Sequence, residues 1–366
     1  MFPVFLQMVN ECVRMGLANT DPTYENIKQT CLPRMKEYGV SDCYRVSAIF
    51  EATNLLKKFR TDSKRAKVNP PMCRNPYLAV SLGVWLERDR ITLPDLGSVS
   101  LTPHTAFVLT QSGVGLTSVT LTPTTCSVIY HKSVESITPS GLLAVDLNLD
   151  NATTWDSDGR SASYDLRALT TIHETYRRVK SRFRRNDVRV KRRLYRKYAA
   201  REWDKKSAIL HRVSSQIVRQ AKTRRQALAL EDLRGIREMY RRSSGGAASY
   251  LSKMNAWPFR QLLRQVAYKA EWVGLPVCTV SPEWTSEKCS LCGGRMETPP
   301  MESRDIVCVD CGLVIDRDLN GAKNILKRAL RSGAVRFADE AMVGGQAPAR
   351  GPNAKVDAGH PSIHTG

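Results

Sequence analysis

Three acidic residues sit where a carboxylate has little reason to be unless it does chemistry. Asp146 interrupts the apolar run LLAVDLN, where strand alternation puts it on a face with Ala144 and Asn148. A carboxylate in a strand interior is costly unless it is paired or binds a cation. An edge-facing aspartate would explain the residue equally well. Glu231 ends the short apolar strand QALALE, just before Asp232, Leu233, Arg234 and Gly235, at the C-terminal tip where α/β sites commonly form. Asp318 opens the helix in DRDLNGAKNIL, with Asp316 before it and Gly321 after it, a residue that permits close backbone approach. Capping is the competing reading of Asp318, because helix N-termini attract acids. Together the three mean more than singly. Two divalent ions about 3.5 to 4 Å apart, held by carboxylates from different strands and helices, can activate water and stabilise the leaving oxygen of a phosphodiester. Mg²⁺ suits such oxygen ligands.

A second constellation is sulfur-based. Cys289-Ser-Leu-Cys292 and Cys308-Val-Asp-Cys311 are two CxxC pairs separated by 15 residues, each followed by a glycine that permits a tight knuckle turn. Four soft ligands at this spacing suit one tetrahedral Zn²⁺ with no open position, a structural rather than a catalytic metal. The other six cysteines (Cys12, Cys31, Cys43, Cys73, Cys126 and Cys278) lack such pairing and read as small core residues.

The balance of charge says what the partner is. With 366 residues, 42% of them hydrophobic, the chain can bury more than one core, and its formal net charge of +21 points to a large polyanion, with nucleic acid foremost. A solvated basic surface is the bland alternative. No basic cluster precedes the short apolar start, so no secretory leader is read, and no run of about 18 apolar residues suggests a membrane span. A reducing, cytoplasmic setting is expected, nucleoid-associated in a prokaryotic cell. Walker-type glycine loops, HExxH and GxSxG are all missing from the sequence, which removes the usual support for ATPase, zinc-protease and serine-hydrolase readings.

The elements that must position these residues follow from periodicity. Helical spacing over the first 60 residues (Phe5, Met8, Val9, Cys12, then Val46, Ile49, Phe50) predicts a helical module. After VNPPMCRNP, short Val, Leu and Thr runs from Tyr77 to Tyr130 predict a β-rich, barrel-like module. GLLAVDLN, ATTWDS and SASYDLR predict a three-stranded antiparallel meander joined by tight reversals. One or two long basic helices are expected from Leu169 to Lys222, then the strand QALALE, an amphipathic helix from Asn255 to Val273 and the strand PVCTVS. Strands alternating with long helices indicate α/β organisation. The Ala-, Gly- and Pro-rich tail after Arg331 lacks periodicity and is expected to be disordered.

At these residues the sequence resembles the TnpB family, relatives of the type V CRISPR effector nucleases. The resemblance runs in the family's order from ITLPDLG near residue 91 through AVDLNLDN, ALEDLRGI, NAWPFRQLLRQVAYKAEWVGLPVCTVSPEWTSEKCSLCG and CVDCG to DRDLNGAKNIL. It implies an RNase H-like RuvC nuclease domain with Asp146, Glu231 and Asp318 as its catalytic, Mg²⁺-binding acids and a zinc ribbon inserted between the second and third. In the family's ending the aspartate after arginine is catalytic, which favours Asp318 over Asp316. The implied layout is a helical recognition module (1–68), a β-barrel-like wedge module (69–140), RuvC-like segments (141–288 and 314–331) around the ribbon (289–313), and a tail (332–366). Asn148 stands where many members have glycine, Gly321 replaces a usual alanine, and the chain opens in a helix where members usually open in a short strand.

The activity implied is that of a transposon-associated RNA-guided DNA endonuclease. It would bind a guide RNA and double-stranded target DNA beside a short flanking motif. Such a protein reads an A-form backbone by charge and shape and leaves sequence choice to base pairing. Arg177, Arg178, Arg182, Arg185, Arg192 and Arg193 are the candidate phosphate contacts, against the alternative of a solvated helix face. Tyr176, Tyr195 and Trp203 could stack on bases, although helix spacing favours packing. Two other classes compete. A nuclease-inactive RNA-guided repressor usually lacks one of the acids, and all three are present here. An RNase H-like transposase would join strands rather than only cut them.

Overall fold

The computed structural model describes residues 1–183, 187–234, 256–298, 304–335 and 337. Arg185, Asn255 and nearly all of the 332–366 tail fall outside the described residues. The chain divides into two compact units between Ser133 and Val134.

In the first unit, the apolar spacing of the opening residues becomes three helices: α1 (Phe2–Gly16), α2 (Tyr24–Met35) and α3 (Asp42–Ser63). Thr23 caps α2 by accepting the Asn26 N–H at 3.3 Å. The helices cross closely because Gly16 has no side chain: a Cβ there would stand 2.5 Å from Leu56 Cδ1. Two small antiparallel sheets follow. One has β1 (Leu78–Val80), β5 (Val114–Leu121) and β6 (Cys126–Lys132), and the other β2 (Trp85–Glu87), β3 (Arg90–Leu93) and β4 (Gly97–Ser100). A short helix, α4 (Pro103–Leu109), lies between β4 and β5 in sequence. Inward residues of the helices and of β1, β3 and β5 share one core, which includes Phe5, Ile27, Tyr44, Leu78, Ile91 and Val119. Cys12, Cys31 and Cys43 are buried in it.

The second unit is built on one mixed five-stranded sheet. Strands β7 (Gly141–Leu147), β8 (Asn151–Asp156) and β9 (Ser161–Asp165) form the antiparallel meander. Strand β10 (Gln226–Glu231) lies parallel to β7, and β11 (Val277–Val280) parallel to β10, giving the order β11-β10-β7-β8-β9. Every residue of β7 and of β10 is buried, as expected of central strands covered on both faces.

Alternation then sorts the two faces. Leu143, Val145, Leu228 and Leu230 pack under α6 (Tyr195–Thr223) and α7 (Phe259–Trp272). Leu142, Ala144, Ala227 and Ala229 pack under α8 (Arg317–Ser332), through Ile325, Leu326 and Ala329. The α8 side is therefore floored largely by alanine, which lets that helix sit close to the strands.

The basic segment folds as α5 (Arg167–Ser181) and α6, the latter entered through a π-helical turn, Val190–Leu194. One buried acid holds these helices together. Glu202 on α6 accepts from Lys180 Nζ at 2.7 Å, Lys206 Nζ at 2.8 Å and His173 Nδ1 at 2.9 Å. Burial pushes the Glu202 carboxyl up, but hydrogen bonds from Lys180, Lys206 and His173 outweigh it and hold the group down to about 2. A depressed acid stabilises the fold above the ordinary glutamate range and loses that contribution as pH falls through about 2. Glu202→Gln should therefore lower the thermal midpoint at neutral pH, and the gap to the parent should close as melts are repeated toward pH 2.

Candidate active site

Asp146 and Glu231 continue the α8-facing side of their strands past the alanine floor. The parallel register aligns Leu230 with Val145, so the next pair along it is Glu231 beside Asp146. Both are buried, at 8% and 6% exposure, and Asp318 at the start of α8 is buried to the same degree, at 7%. The helix comes close enough that a Cβ on Gly321 would stand 3.1 Å from the Asp146 carboxylate carbon. Burial first, and then the charge of Glu231, push the Asp146 carboxyl up to about 7, against the Asn148 amide and the Arg317 charge. Burial likewise raises Glu231, opposed by the Thr285 hydroxyl and by Arg328. Two carboxylates buried side by side are costly to ionise together, which is the condition a divalent cation relieves.

Asp316 and Asp318 divide the labour at the helix start. Asp316 is the N-cap: its Oδ1 accepts from the N–H of Asp318 at 2.9 Å and of Leu319 at 3.0 Å. The capping reading of Asp318 is thereby met by its neighbour, and the Asp318 carboxylate turns to other partners. Asn151 Nδ2 donates to Asp318 Oδ2 at 2.8 Å, and the Arg304 guanidinium pairs with the same oxygen. Arg304 also lies 3.6 Å from Asp316. On the other side Asn148 Nδ2 donates to Asp146 Oδ2 at 2.7 Å, and Thr285 Oγ1 donates to Glu231 Oε1 at 2.7 Å. Asn151 Oδ1 is buried with no hydrogen-bond partner, an oxygen acceptor left over beside the acids. Oxygen donors with surplus negative charge fit a hard divalent ion such as Mg²⁺.

The four cysteines come together more tightly. Among the described residues they form the only group of three or more Cys, His, Asp or Glu whose ligand atoms all lie within 4.8 Å of one another; the three acids do not close to that distance. Cys289 Sγ is 3.7 Å from Cys311 Sγ, and Cys292 Sγ is 3.5 Å from Cys308 Sγ. Gly293 and Gly312 turn the knuckles at φ +84° and +71°. Burial raises the Cys289 thiol, yet backbone N–H groups of Cys292 and Leu291 draw it down to about 7. The cluster could hold a metal ion. It is carried on a small antiparallel sheet of β12 (Met296–Glu297), β13 (Asp305–Cys308) and β14 (Val314–Asp316), and β14 runs directly into α8.

Away from the acids, Arg177, Arg178 and Arg182 are exposed along α5 and just beyond it, and Arg192 and Arg193 are exposed on the π-helical turn. Arg185 lies outside the described residues. Tyr176 is buried against Tyr198, in line with packing, whereas Tyr195 and Trp203 are about half exposed.

Comparison with known proteins bears on this arrangement. A family model described as "Cas12f1-like, TNB domain" matches residues 259–325. A TnpB-like protein of Methanocaldococcus jannaschii is 29% identical over 210 residues, covering 55% of this chain and 74% of that protein. The fold resembles that of the protein in the "Cas12f1-sgRNA-target DNA complex", with a TM-score of 0.60 over 88% of this chain and 82% of that one, at 13% identity. These matches support a TnpB/Cas12f family assignment. Within the family, a CRISPR-associated endodeoxyribonuclease Cas12f1 of Sulfoacidibacillus thermotolerans is 31% identical over 116 residues, and that match covers 31% of this chain and 25% of the relative.

Several residues that contact the three acids were passed over in the sequence. Asn151 and Thr285 lie inside the motifs that carry the family resemblance, AVDLNLDN and PEWTSEKC, but neither type stands out without the acid it contacts. Arg304 precedes β13, and no pattern in the sequence ties it to Asp318. The cysteine geometry makes its own prediction: the purified chain should carry one tightly held Zn²⁺, and Cys308→Ser should lower that stoichiometry and loosen α8. Elemental analysis and hydrogen exchange across residues 317–332 would measure both, and full metal retention would sink the assignment.

Proposed function

We propose that this chain is an RNA-guided DNA endonuclease, associated with an insertion-sequence transposon, that hydrolyses target DNA at a RuvC-type, RNase H-like site. The observation that carries the reading is the juxtaposition of two buried acids on adjacent parallel strands with a third on the helix that covers them. Asp146, Glu231 and Asp318 are the residues that would hold Mg²⁺, and Asn151 Oδ1 is a further oxygen within the same buried set. When bound there, a pair of divalent ions would activate the attacking water and stabilise the leaving oxygen. The chain's own side chains orient the acids: Asn148 fixes Asp146, Thr285 fixes Glu231, and Asn151 fixes Asp318. Cys289, Cys292, Cys308 and Cys311 would hold a structural Zn²⁺, with the ribbon keeping the start of α8 in place.

In this reading residues 1–68 and 69–140 serve as recognition and wedge-like modules, 141–288 and 314–331 as the nuclease domain, and 289–313 as the ribbon. The exposed arginines of the α5–α6 region contact the phosphates of guide RNA and target duplex. Relatives named as putative RNA-guided DNA endonucleases and the net charge of +21 support these partners. Among the described residues, no helix is long and apolar enough to cross a membrane.

Alanine at Asp146, Glu231 or Asp318 should abolish Mg²⁺-dependent scission while sparing nucleic-acid binding. Asp316→Ala should instead cut, with a fold destabilised by about 1 kcal/mol through loss of the cap. The assignment within DRD fails if Asp318→Ala cuts normally and Asp316→Ala is dead.

Guidance is tested separately. The purified complex is treated with ribonuclease and rebuilt with RNAs whose guide segments differ, and cuts are mapped on a plasmid. Cut positions should move with the guide while a short flanking motif stays fixed. Cuts that stay put would make the protein itself the reader of sequence.

A further inference from the structure

Two thiols in the first unit meet across a helix interface and take no part in the chemistry above. Cys12 on α1 and Cys31 on α2 are fully buried in the helical core, at 0% exposure each. Cys31 Sγ donates to the Cys12 carbonyl at 3.7 Å, and the two thiols also hydrogen-bond to each other. Their meeting is fixed from both sides along the helices. One turn after Cys12, Gly16 lets α1 close on α2: a Cβ there would stand 2.8 Å from Cδ1 of Ile27, which lies one turn before Cys31. On the other side Glu11, the neighbour of Cys12, accepts from Arg34 Nε at 2.9 Å and from the Tyr38 hydroxyl at 2.6 Å, and Arg34 lies one turn after Cys31.

The two sulfurs are unequal. The hydrogen bond from Cys12 draws the Cys31 thiol down against the opposing effect of burial, whereas the same bond and burial together push Cys12 up. Burial raises the other thiols of this unit, Cys43, Cys73 and Cys126. The nucleophile in thiol oxidation is the thiolate, and a second thiol held beside it resolves the first product before it can oxidise further. Both sulfurs are sealed from bulk solvent, so an oxidant must be small and uncharged to reach them as the helices open locally. Hydrogen peroxide meets that condition, and the disulfide of glutathione does not.

We propose that Cys12 and Cys31 form a peroxide-responsive dithiol, which closes to a disulfide and staples α1 to α2. The Cys31 thiolate attacks one peroxide oxygen and the O–O bond breaks. The departing oxygen takes up the proton that Cys31 gave up and leaves as water, with Cys31 now a sulfenic acid. The Cys12 sulfur then displaces the hydroxyl from Cys31, the S–S bond forms, and the hydroxyl leaves with the Cys12 proton as a second water. The dithiol thus loses two electrons and two protons, and the peroxide is reduced to water. The staple joins residues 19 positions apart and removes freedom from the unfolded chain. Intracellular disulfides of this kind are transient sensors rather than permanent braces. The inference concerns the first unit alone and does not depend on the nuclease reading.

The test treats the full chain, supplied with Zn²⁺, with hydrogen peroxide or with oxidised glutathione. Remaining thiols are blocked in denaturant, the chain is digested without reductant, and the peptides are mapped by mass spectrometry. Peroxide should give a linked pair carrying Cys12 and Cys31, two hydrogens lighter than the free peptides, and oxidised glutathione should not. The linked chain should melt roughly 5 to 10 °C higher, and dithiothreitol added in denaturant should abolish the link. Cys12→Ala removes the resolving thiol, so Cys31 should stay a sulfenic acid and be captured by dimedone on transfer to denaturant. In Cys31→Ala, Cys12 should remain an unlabelled thiol. Recovery of both residues as blocked thiols after peroxide overturns the proposal, and so does a link from either one to a cysteine of the metal cluster. Equal linkage by oxidised glutathione overturns it as well, since the pair would then answer to the thiol pool and not to peroxide. The mapping on the unaltered chain decides the matter even if a variant fails to fold.

Discussion

The structure of the second unit turns on two carboxylates buried side by side. Asp146 and Glu231 sit on adjacent parallel strands; burial makes both costly to ionise, and the charge of Glu231 adds to the cost at Asp146. An apolar pair would pack there without penalty, so the arrangement is stable only because the rest of the unit fixes it. The alanine floor of β7 and β10 brings α8 down onto the strands, and Gly321 gives that helix the clearance to pass Asp146. Amide and hydroxyl donors from Asn148 and Thr285 then take one oxygen of each acid.

The start of α8 shows how neighbouring acids of one type are separated in role by geometry. Asp316, outside the helix, points back to the free N–H groups, while Asp318, inside the first turn, faces the sheet. Arg304 then bridges the two aspartates from the cysteine-bearing sheet. The cysteine cluster is thus tied to the acid site through the continuous chain of β14 and α8 and through this guanidinium, and Asn320 and Lys327 of α8 also bond the backbone of Ser290 between the first two cysteines.

Much of this was legible in the sequence where the signal was local. The alternation of LLAVDLN placed Asp146 with Ala144, and the structure puts both on the α8 face. The two CxxC pairs specified which thiols would converge. The alternating α and β segments gave the mixed class. The sequence was silent wherever two distant segments meet. That β10 adds parallel to β7 is decided by apolar faces that many registers would satisfy, and that Arg304 reaches Asp318 depends on where the small sheet of β12, β13 and β14 lies. The left-handed backbone of Trp284, at φ +62°, is invisible in a sequence because nothing in PEWTS names such a residue. The assignment of the acids as a set came from resemblance, since each alone has an ordinary explanation as an edge residue, a strand end or a cap.

The acids also arrive far apart in time. Asn151 and Asp318, which touch in the finished fold, are separated by 167 residues. A ribosome adding about 5 to 20 residues per second needs roughly ten to thirty seconds to span that interval. During it the strand bearing Asp146 has emerged, and the helix that completes the crevice has not. An unfinished chain therefore carries its basic helices α5 and α6 before the full set of acids exists. Assembly of the three acids waits on α8, the last helix among the described residues, to leave the ribosome.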